Sequence, residues 1–246
     1  MHPIKILAKG KFGPDDITVT VSPSNRKIDP AVESQLDALW EKKLAKALAA
    51  GKNIYNGISY RLNSLEEKAG KLHFDLSTFD YKTRDGLMEA EGYYNLSDEY
   101  LRKGCFTGAS IRTSDHKFLM VAISSTSMNT NKTDLIGGII EVFGVANAGS
   151  DIFKSLYREM AEEALITEGD IQESYLKAVY LNASTNCGMY FEVVLSISAD
   201  ELLRRFETQS NDADIKGLIA LTREEYCTAL EGHNESKKFI RTILEI

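Results

Sequence analysis

The sequence predicts a mixed α/β (α+β) fold with a smaller N-terminal α+β domain, residues 1–100, and a larger domain, residues 101–246. Three observations support this prediction. Helical apolar patterns alternate with short β-favouring runs along the chain. The 246 residues, 43% of them hydrophobic, suffice for one large core or two smaller ones. A polar stretch over residues 96–104 offers a boundary between the two domains.

The N-terminal domain begins with two predicted strands and a long helix. The strands cover residues 4–7 and 17–21, and turn chemistry at residues 13–15 favours their pairing. Asp29 followed by Pro30 is a typical helix start, and apolar residues keep helical spacing until Gly51 ends the run. The first half of this domain should therefore combine a strand pair with one helix.

The rest of the N-terminal domain is predicted to contain a hairpin and a loop. Asn56-Gly57 is a turn signal between β-favouring residues, and a second β stretch covers residues 72–76. Residues 78–86 mix aromatic and charged side chains without alternation, a pattern that favours a recognition loop.

The larger domain alternates predicted strands and helices and contains polar loops at residues 124–133 and 211–214. A helix contains residues 153–164, and Thr222 is a candidate cap for a later one. The predicted strands cover residues 106–113, 118–124, 135–140, 175–182, 189–197 and 217–221, and the other helices cover residues 201–207, 223–230 and 235–246.

Composition excludes several classes of protein. The net charge of −7, without a basic stripe, argues against nucleic acid as the main partner. Cys105, Cys187 and Cys227 are far apart and contain no C-x-x-C pair, so neither a disulfide framework nor a zinc knot is indicated. No apolar run approaches the roughly 18 residues of a membrane span, and the first residues lack the apolar segment of a secretion signal. We therefore expect a protein of the reducing cytosol, without a membrane partner.

The candidate site is the stretch from Gly137 to Ile166, which is predicted to form a strand end, a loop and a helix. At about 100° per residue, the side chains of Arg158, Glu159, Glu162 and Glu163 share one arc of the helix, and apolar residues occupy the opposite side. Like charges on one turn repel one another unless a cation lies between them. Hard cations such as Mg²⁺ take oxygen ligands, so the pattern predicts a divalent-metal site beside Gly137-Gly138.

The run Arg158-Glu159-Met160-Ala161-Glu162-Glu163 resembles the core of the Nudix box, with Gly137-Gly138 where that box begins. The resemblance implies an α/β/α sandwich with a mixed sheet. Two positions depart from the box, since Ser150 replaces an early glutamate and Leu165 replaces a late glycine. The segment before the helix is longer by about six residues, an insertion placed between Glu141 and Asp151 because loops accept length cheaply.

The resemblance to Nudix hydrolases also implies roles for these residues. Glu159, Glu162, Glu163 and the Gly138 carbonyl would hold Mg²⁺, with Mn²⁺ as the alternative metal. The catalytic set would be Glu159, Glu163 and Arg158: one of the two glutamates would orient or deprotonate the attacking water, and Arg158 would hold a glutamate in place. Spacing leaves open which glutamate is the base. The substrate would be a small nucleoside diphosphate compound.

Two N-terminal segments resemble an atypical branch of that family. Tyr55-Asn56-Gly57-x-x-Tyr60-Arg61-Leu62 and the later Tyr81-x-x-Arg84-Asp85 are similar to Nudix proteins that hydrolyse UDP-glucose and UDP-galactose, whose box also carries a longer loop and lacks the late glycine. This resemblance implies that Tyr60, Arg61, Arg84 and Asp85 bind substrate, and that the products are UMP and a sugar 1-phosphate.

Several alternatives remain open at this point. The substrate could be ADP-ribose, coenzyme A or a dinucleoside polyphosphate, and the departures at Ser150 and Leu165 suit a Nudix-fold binding module without turnover. An unrelated α/β domain with a solvated acidic helix is the third possibility. Tyr60 with Arg61 could be a strand-edge pair, and Arg84 with Asp85 a local salt bridge. The sequence does not indicate the oligomeric state.

Overall fold

The structure is a computed structural model that describes residues 2–51, 54–124, 133–140, 142, 149–209, 215–231 and 240–243. It is a mixed α/β fold with two sheets, which confirms the predicted fold class. The strands are β1 Lys5–Phe12, β2 Ile17–Val21, β3 Ile58–Lys68, β4 Lys71–Asp80, β5 Cys105–Arg112, β6 Phe118–Ile123, β7 Thr133–Asp134, β8 Ile171–Leu181, β9 Cys187–Leu195 and β10 Ile215–Leu221. The helices are α1 Pro30–Ala49, α2 Tyr81–Glu89, α3 Gly149–Ala164, α4 Ala199–Gln209 and α5 Arg223–Glu231.

The larger sheet has seven strands in the order β1-β8-β9-β5-β6-β10, with β7 paired to β6. β5 and β9 run parallel, and the other pairs are antiparallel. Because side chains alternate between the faces of a strand, the sheet supports two separate layers. Leu156 of α3 and Leu202 of α4 belong to the core on one face, and Tyr226 of α5 belongs to the core on the other. The larger sheet therefore lies between helices.

The smaller sheet has three strands in the order β2-β4-β3. β3 and β4 form an antiparallel hairpin, and β2 runs parallel to β4. Its apolar residues, including Val19, Leu62 and Phe74, belong to the same core cluster as α3 and the larger sheet. α1 and α2 pack together beside this sheet through Val32, Leu36 and Leu87, among others. The two sheets thus share one core.

The predicted pairing of residues 4–7 with residues 17–21 is wrong. β1 pairs with β8 of the larger sheet, and β2 pairs with β4 of the smaller one. The segment between them forms a tight turn, in which the Gly13 N–H donates to Oδ2 of Asp16 at 2.9 Å. That turn carries the chain from one sheet to the other, and the local sequence contains no signal for the identity of a distant partner strand.

Residues 78–86, predicted to form a loop, instead complete β4 and begin α2. The Asp80 carboxylate caps the helix by accepting from the Thr83 N–H at 2.9 Å. The segment at residues 135–140, predicted as a strand, makes isolated bridges to β5 at Ile136 and Ile139. The remaining strands and helices of the larger domain lie close to their predicted positions.

Some predictions fall outside the described residues. These include Glu141, the inserted loop at residues 143–148, the loop at residues 211–214 and most of the helix predicted at residues 235–246. The division into residues 1–100 and 101–246 stays a prediction. Within the described part of the chain, no helix combines the length and apolarity needed to cross a membrane.

Candidate active site

The site is built around the bend Gly137-Gly138, which lies against β5. The Thr107 N–H donates to the Gly138 carbonyl at 2.8 Å, and the Ala109 N–H donates to the Ile136 carbonyl at 3.0 Å. On the far side of the bend, the Ile140 N–H donates to the Cys105 carbonyl at 3.2 Å. These main-chain bonds hold both ends of the bend on a strand in the middle of the larger sheet.

Backbone geometry requires glycine at position 137, and the absence of a side chain at position 138 leaves room for a carboxylate. Gly137 has φ 147°, and a Cβ there would lie 2.4 Å from the Thr107 carbonyl oxygen. A Cβ at Gly138 would lie 2.6 Å from the carboxylate of Glu159. The absence of side chains therefore allows the main chain to approach β5 on one side and a carboxylate of α3 on the other.

α3 brings two carboxylates to the bend. Its apolar side, formed by Phe153, Leu156, Met160 and Ala164 among others, is buried in the main core. This packing turns the side of α3 that carries Glu159 and Glu163 towards the bend. Oε2 of Glu163 accepts from the Gly137 N–H at 3.1 Å, and the Glu159 carboxylate lies against Gly138. The structure thus brings Glu159, Glu163 and Gly138 together.

Glu162 and Arg158 complete the polar side of α3. Nη2 of Arg158 donates to Oε1 of Glu159 at 2.8 Å, and the positioning role of this arginine stays a prediction. The Glu162 carboxylate is 53% exposed and lies 3.5 Å from Nη1 of Arg158, whereas the Glu159 side chain is only 13% exposed. Glu162 is therefore more solvated than Glu159, and both carboxylates lie within ion-pair distance of the Arg158 guanidinium.

Leu165 stands where the Nudix box has its late glycine. Its φ is 54°, a left-handed conformation that favours glycine and costs other residues about 1–2 kcal/mol. Nη1 of Arg205 donates to the Leu165 carbonyl at 3.0 Å, and the Leu165 side chain packs against the core. The backbone at this position keeps the conformation that a glycine would adopt, and the leucine adds apolar contact.

A cavity of about 480 Å³ borders the bend on its other side. We refer to it as the cavity. Gly137, Gly138 and Ile139 form one wall, and two residues of α2, Arg84 and Asp85, form another. The remaining lining comes from several elements: Met88, Arg102, Gly104, Cys105, Phe106, Thr107, Gly108, Asp134, Leu135, Tyr180, Asn182, Ser184, Asn186, Tyr190 and Ile240.

Arg84 and Arg102 are the two cationic side chains of the cavity lining, which also contains Asp85 and Asp134. Arg102 is 4% exposed and donates only to neutral acceptors, namely the Ser184 carbonyl at 2.8 Å, the Arg84 carbonyl at 2.9 Å and the Met88 sulfur at 2.8 Å. The Arg84 guanidinium lies 4.9 Å from the ring centre of Tyr81. Among the described residues, neither guanidinium has a carboxylate within ion-pair distance.

Burial lowers the pKa of both guanidinium groups, and the positive charge of Arg84 lowers the pKa of Arg102 further. A buried charge without a counter-ion is costly. An anion that enters the cavity would lower this cost, so the arrangement favours anionic ligands. The negative charge of Asp85, which pairs with Lys43, acts in the opposite direction on the pKa of both arginines.

Tyr60 and Arg61 lie on β3, away from the cavity lining. The Tyr60 side chain is buried, and its main-chain N–H donates to the Ile140 carbonyl at 3.1 Å, which ties β3 to the bend. Arg61 is 1% exposed and donates to Asn25 and Asn63 at 2.9 Å and to the Leu101 carbonyl at 3.2 Å. Burial, together with the nearby charge of Arg26, lowers the pKa of Arg61 to about 10. The substrate-binding roles of both residues stay predictions.

The donor atoms at the bend are oxygens, which are the ligands that a hard cation prefers. Carboxylate oxygens of Glu159 and Glu163 and a carbonyl oxygen of Gly138 are the ligands that Mg²⁺ takes, usually with waters and substrate phosphates. The Gly138 carbonyl already accepts from the Thr107 N–H at 2.8 Å and from the Thr107 hydroxyl at 3.4 Å, so a cation would have to displace the longer of the two bonds. In the described ranges, no group of three His, Cys, Asp or Glu side chains is arranged to hold a metal.

Sequence reasoning missed three residues near the site. Arg102 lies in the polar stretch between the predicted domains, and no sequence pattern distinguishes a single arginine there. Tyr55 and Ser59 flank the Asn56-Gly57 signal, and both line a second, smaller recess that adjoins the cavity. Only the tertiary arrangement shows that all three face the space beside the bend.

No family model and no curated protein matches the chain. A protein of Deinococcus radiodurans is 14% identical, with a TM-score of 0.42, over 57% of this chain and 82% of that one. A Nudix hydrolase of Nitrosomonas europaea is 17% identical, with a TM-score of 0.38, over 58% and 86%.

The third comparison is with the Nudix domain of Shewanella oneidensis NrtR, solved in complex with ADP-ribose. It is 15% identical, with a TM-score of 0.34, over 55% of this chain and 83% of that domain. The chain is thus similar to solved Nudix structures over somewhat more than half of its length.

Proposed function

We propose that this protein is a divalent-metal-dependent hydrolase of nucleoside diphosphate compounds. The observation that carries the proposal is the meeting of Glu159 and Glu163 at a side-chain-free bend that borders a cavity lined by Arg84 and Arg102. A diphosphate repels an incoming nucleophile through its own negative oxygens. Arg84 and Arg102 would neutralise part of that charge, and a carboxylate beside the bend would act on the water.

The reaction can be written with these groups alone. The oxygen of a water attacks one phosphorus, the bond from that phosphorus to the bridging oxygen breaks, and two phosphate monoesters result. Glu159 or Glu163 would accept the proton that the water loses. Arg158 would orient Glu159 through the hydrogen bond of 2.8 Å. A Mg²⁺ or Mn²⁺ ion held by Glu159 and Glu163 would neutralise charge on the phosphate oxygens.

We further propose that the physiological substrate is UDP-glucose or UDP-galactose, cleaved to UMP and the sugar 1-phosphate. This choice rests on the resemblance of the two N-terminal segments, and Arg84 and Asp85 of the second segment do line the cavity. ADP-ribose, coenzyme A and dinucleoside polyphosphates are the alternative substrates of the same chemistry.

The test is a hydrolysis panel with purified protein. UDP-glucose, UDP-galactose, ADP-ribose, coenzyme A and a dinucleoside polyphosphate are incubated with Mg²⁺, with Mn²⁺ and with a chelator, and products are separated by chromatography. The proposal expects metal-dependent release of UMP, fastest from the UDP-sugars. A preference for another compound would overturn the substrate, and no turnover of any compound with either metal would overturn the hydrolase.

A second candidate is a nucleotide-binding module of similar fold. The exposure of Glu162 favours it, because the side chain of this third residue of the predicted metal set is 53% exposed. Calorimetry with Mg²⁺ and UDP-glucose separates the candidates. A binder gives saturable heat alone, whereas a hydrolase gives a continuing heat that tracks the formation of UMP.

A further inference from the structure

A second concavity of about 240 Å³ adjoins the cavity, and we refer to it as the recess. Arg84 and Ile139 line both spaces, so Arg84 stands at the passage between them. The other lining residues are Ile54, Tyr55, Gly57, Ile58, Ser59 and Tyr81, most of which are apolar or aromatic. A ligand that fills both spaces would have an anionic part beside Arg102 and a less polar part in the recess.

Tyr55 is held in the wall of the recess although its side chain is 75% exposed. A Cβ at Gly57 would lie 2.8 Å from the Tyr55 ring, so the ring rests on the main chain of that glycine. Asn56 fixes the segment by donating to Asp80 at 2.8 Å and accepting from the Lys82 N–H at 2.6 Å. The Tyr81 N–H donates to the Gly57 carbonyl at 2.8 Å. An exposed aromatic ring is thus presented by an anchored segment.

Ser59 provides an independent sign that the recess takes a ligand. Its side chain is 6% exposed, and its hydroxyl oxygen has no hydrogen-bond partner in the described structure. A buried hydroxyl without a partner costs free energy, which a polar group on a bound molecule would recover. The occupant should therefore combine apolar faces with a polar edge.

Planar groups already surround the passage. The Arg84 guanidinium lies 4.9 Å from the ring centre of Tyr81, and the edge of Trp40 contacts that ring with centroids 5.9 Å apart. Aromatic and guanidinium faces stack well on heterocyclic bases. A nucleobase has the apolar faces, the polar edge and the covalent link to phosphate that these two joined spaces require.

We infer that the recess binds the nucleobase of the nucleotide, with Tyr55 as the stacking residue and Ser59 as the partner of a polar edge group of the base. The inference rests on the proposed function, since the phosphates would occupy the cavity beside Arg84 and Arg102. Neither Tyr55 nor Ser59 belongs to the groups that act on the diphosphate. They would set specificity for the nucleoside end of the substrate.

The experiment measures binding of three monophosphates by calorimetry in Mg²⁺. UMP, ribose 5-phosphate and glucose 1-phosphate contain no diphosphate, so none can be turned over and binding is measured separately from hydrolysis. The ratio of the Kd of ribose 5-phosphate to that of UMP reports the contribution of the base. Variants are Tyr55→Ala, Tyr55→Phe and Ser59→Ala, with Leu48→Ala as the matched control, because Leu48 is 80% exposed and lies outside the recess.

The inference expects Tyr55→Ala to lower this ratio about tenfold or more, and Tyr55→Phe to keep it, because the stacking face is retained. Ser59→Ala should weaken the binding of UMP several-fold and leave the Kd of ribose 5-phosphate unchanged. Leu48→Ala should change neither Kd. An unchanged ratio in Tyr55→Ala would overturn the inference, as would undetectable binding of UMP. Loss of glucose 1-phosphate binding in Tyr55→Ala, with UMP unaffected, would assign the recess to the sugar instead.

The hydrolysis panel is scored separately from these affinities. Metal-dependent turnover with an unchanged ratio rejects the recess and keeps the hydrolase. A ratio that depends on Tyr55, in a protein that hydrolyses nothing on the panel, keeps the base site and rejects the hydrolase.

Discussion

The main-chain N–H of Gly137 donates a hydrogen bond of 3.1 Å to Oε2 of Glu163. This bond joins the loop that borders the cavity to the helix that carries the acidic residues. One helical turn earlier, the Glu159 carboxylate lies in the space that a side chain at Gly138 would occupy. The two glutamates are thus fixed by the bend, and they differ in this respect from Glu162.

Replacing either fixed glutamate should remove most of the activity. Glu163→Gln and Glu159→Gln are expected to lower kcat for UDP-glucose by about 10²-fold or more, because the base or the metal ligand is lost while the volume is kept. Although the sequence pattern makes Glu162 an equal member of the set, Glu162→Gln should lose less because its side chain is 53% exposed. Glu168→Gln, an exposed residue just beyond α3, is the control. Equal activity in all four variants would contradict the assignment.

Adding one methyl group to the bend should displace a carboxylate. In Gly138→Ala the new Cβ would meet Glu159 at 2.6 Å, and we expect the side chain to move and kcat to fall by about 10²-fold. Thermal unfolding should change much less. Gly217→Ala, where a Cβ meets nothing within 4 Å, is the matched control. Full activity in Gly138→Ala would show that the contact with Glu159 has no part in turnover.

The arginines of the cavity should act on substrate affinity. Arg84→Gln removes a guanidinium that has no carboxylate partner among the described residues, so the folded state loses no ion pair. We expect KM for UDP-glucose to rise about tenfold or more, with a smaller change in kcat. Arg112→Gln, whose guanidinium contacts His116 in a different cleft, should leave KM unchanged. A fall in kcat at constant KM would place Arg84 in the chemical step instead.

The stability that the ion pair of Asp170 and Arg205 gives to the end of α3 should depend on pH. The Asp170 carboxylate accepts from Arg205 at 2.7 Å and from the Thr167 N–H and hydroxyl at 2.8 Å, and Arg205 lowers its pKa below the ordinary value of 3.8. A carboxyl group with a depressed folded-state pKa stabilises above its unfolded pKa and loses that effect as pH falls through the folded one. At pH 7, Asp170→Asn should cost about 1.5–3 kcal/mol.

Urea unfolding of the wild type and Asp170→Asn across pH 2–7 measures this difference. The difference in unfolding free energy between the two proteins should be constant from pH 7 to about 5. It should become smaller as the pH falls below the ordinary pKa of an aspartate. Asp200→Asn, on the exposed first turn of α4, is the control. If the difference in unfolding free energy is undiminished at the lowest pH, the effect comes from packing and not from charge.

The larger domain was largely predictable because its signals are local. Asn182 and Gly188 bracket the turn between β8 and β9, and Thr222 caps α5 through a hydrogen bond of 3.3 Å from the Glu225 N–H. Helical spacing likewise located α3 and its acidic side. Such features depend on neighbours within a few residues, which the sequence displays directly.

The errors concern contacts between distant residues. Whether β1 pairs with β2 or with β8 depends on the packing of the whole core, and the residues of β1 do not encode that choice. Arg84 and Asp85 were expected on a loop and lie on α2, yet they still reach the cavity. Arg102 could not be identified at all, since its significance arises from burial without a counter-ion.

The pairing of β1 with β8 has a practical consequence for anyone who wishes to express the larger domain alone. A fragment that starts at residue 101 would lack β1 and leave one long side of β8 without main-chain partners. Exposed strand edges of this kind recruit other chains and lead to aggregation. Adding residues 5–12 would cover this edge, but such a fragment would still expose the core that Val19, Leu62 and Phe74 of the smaller sheet bury.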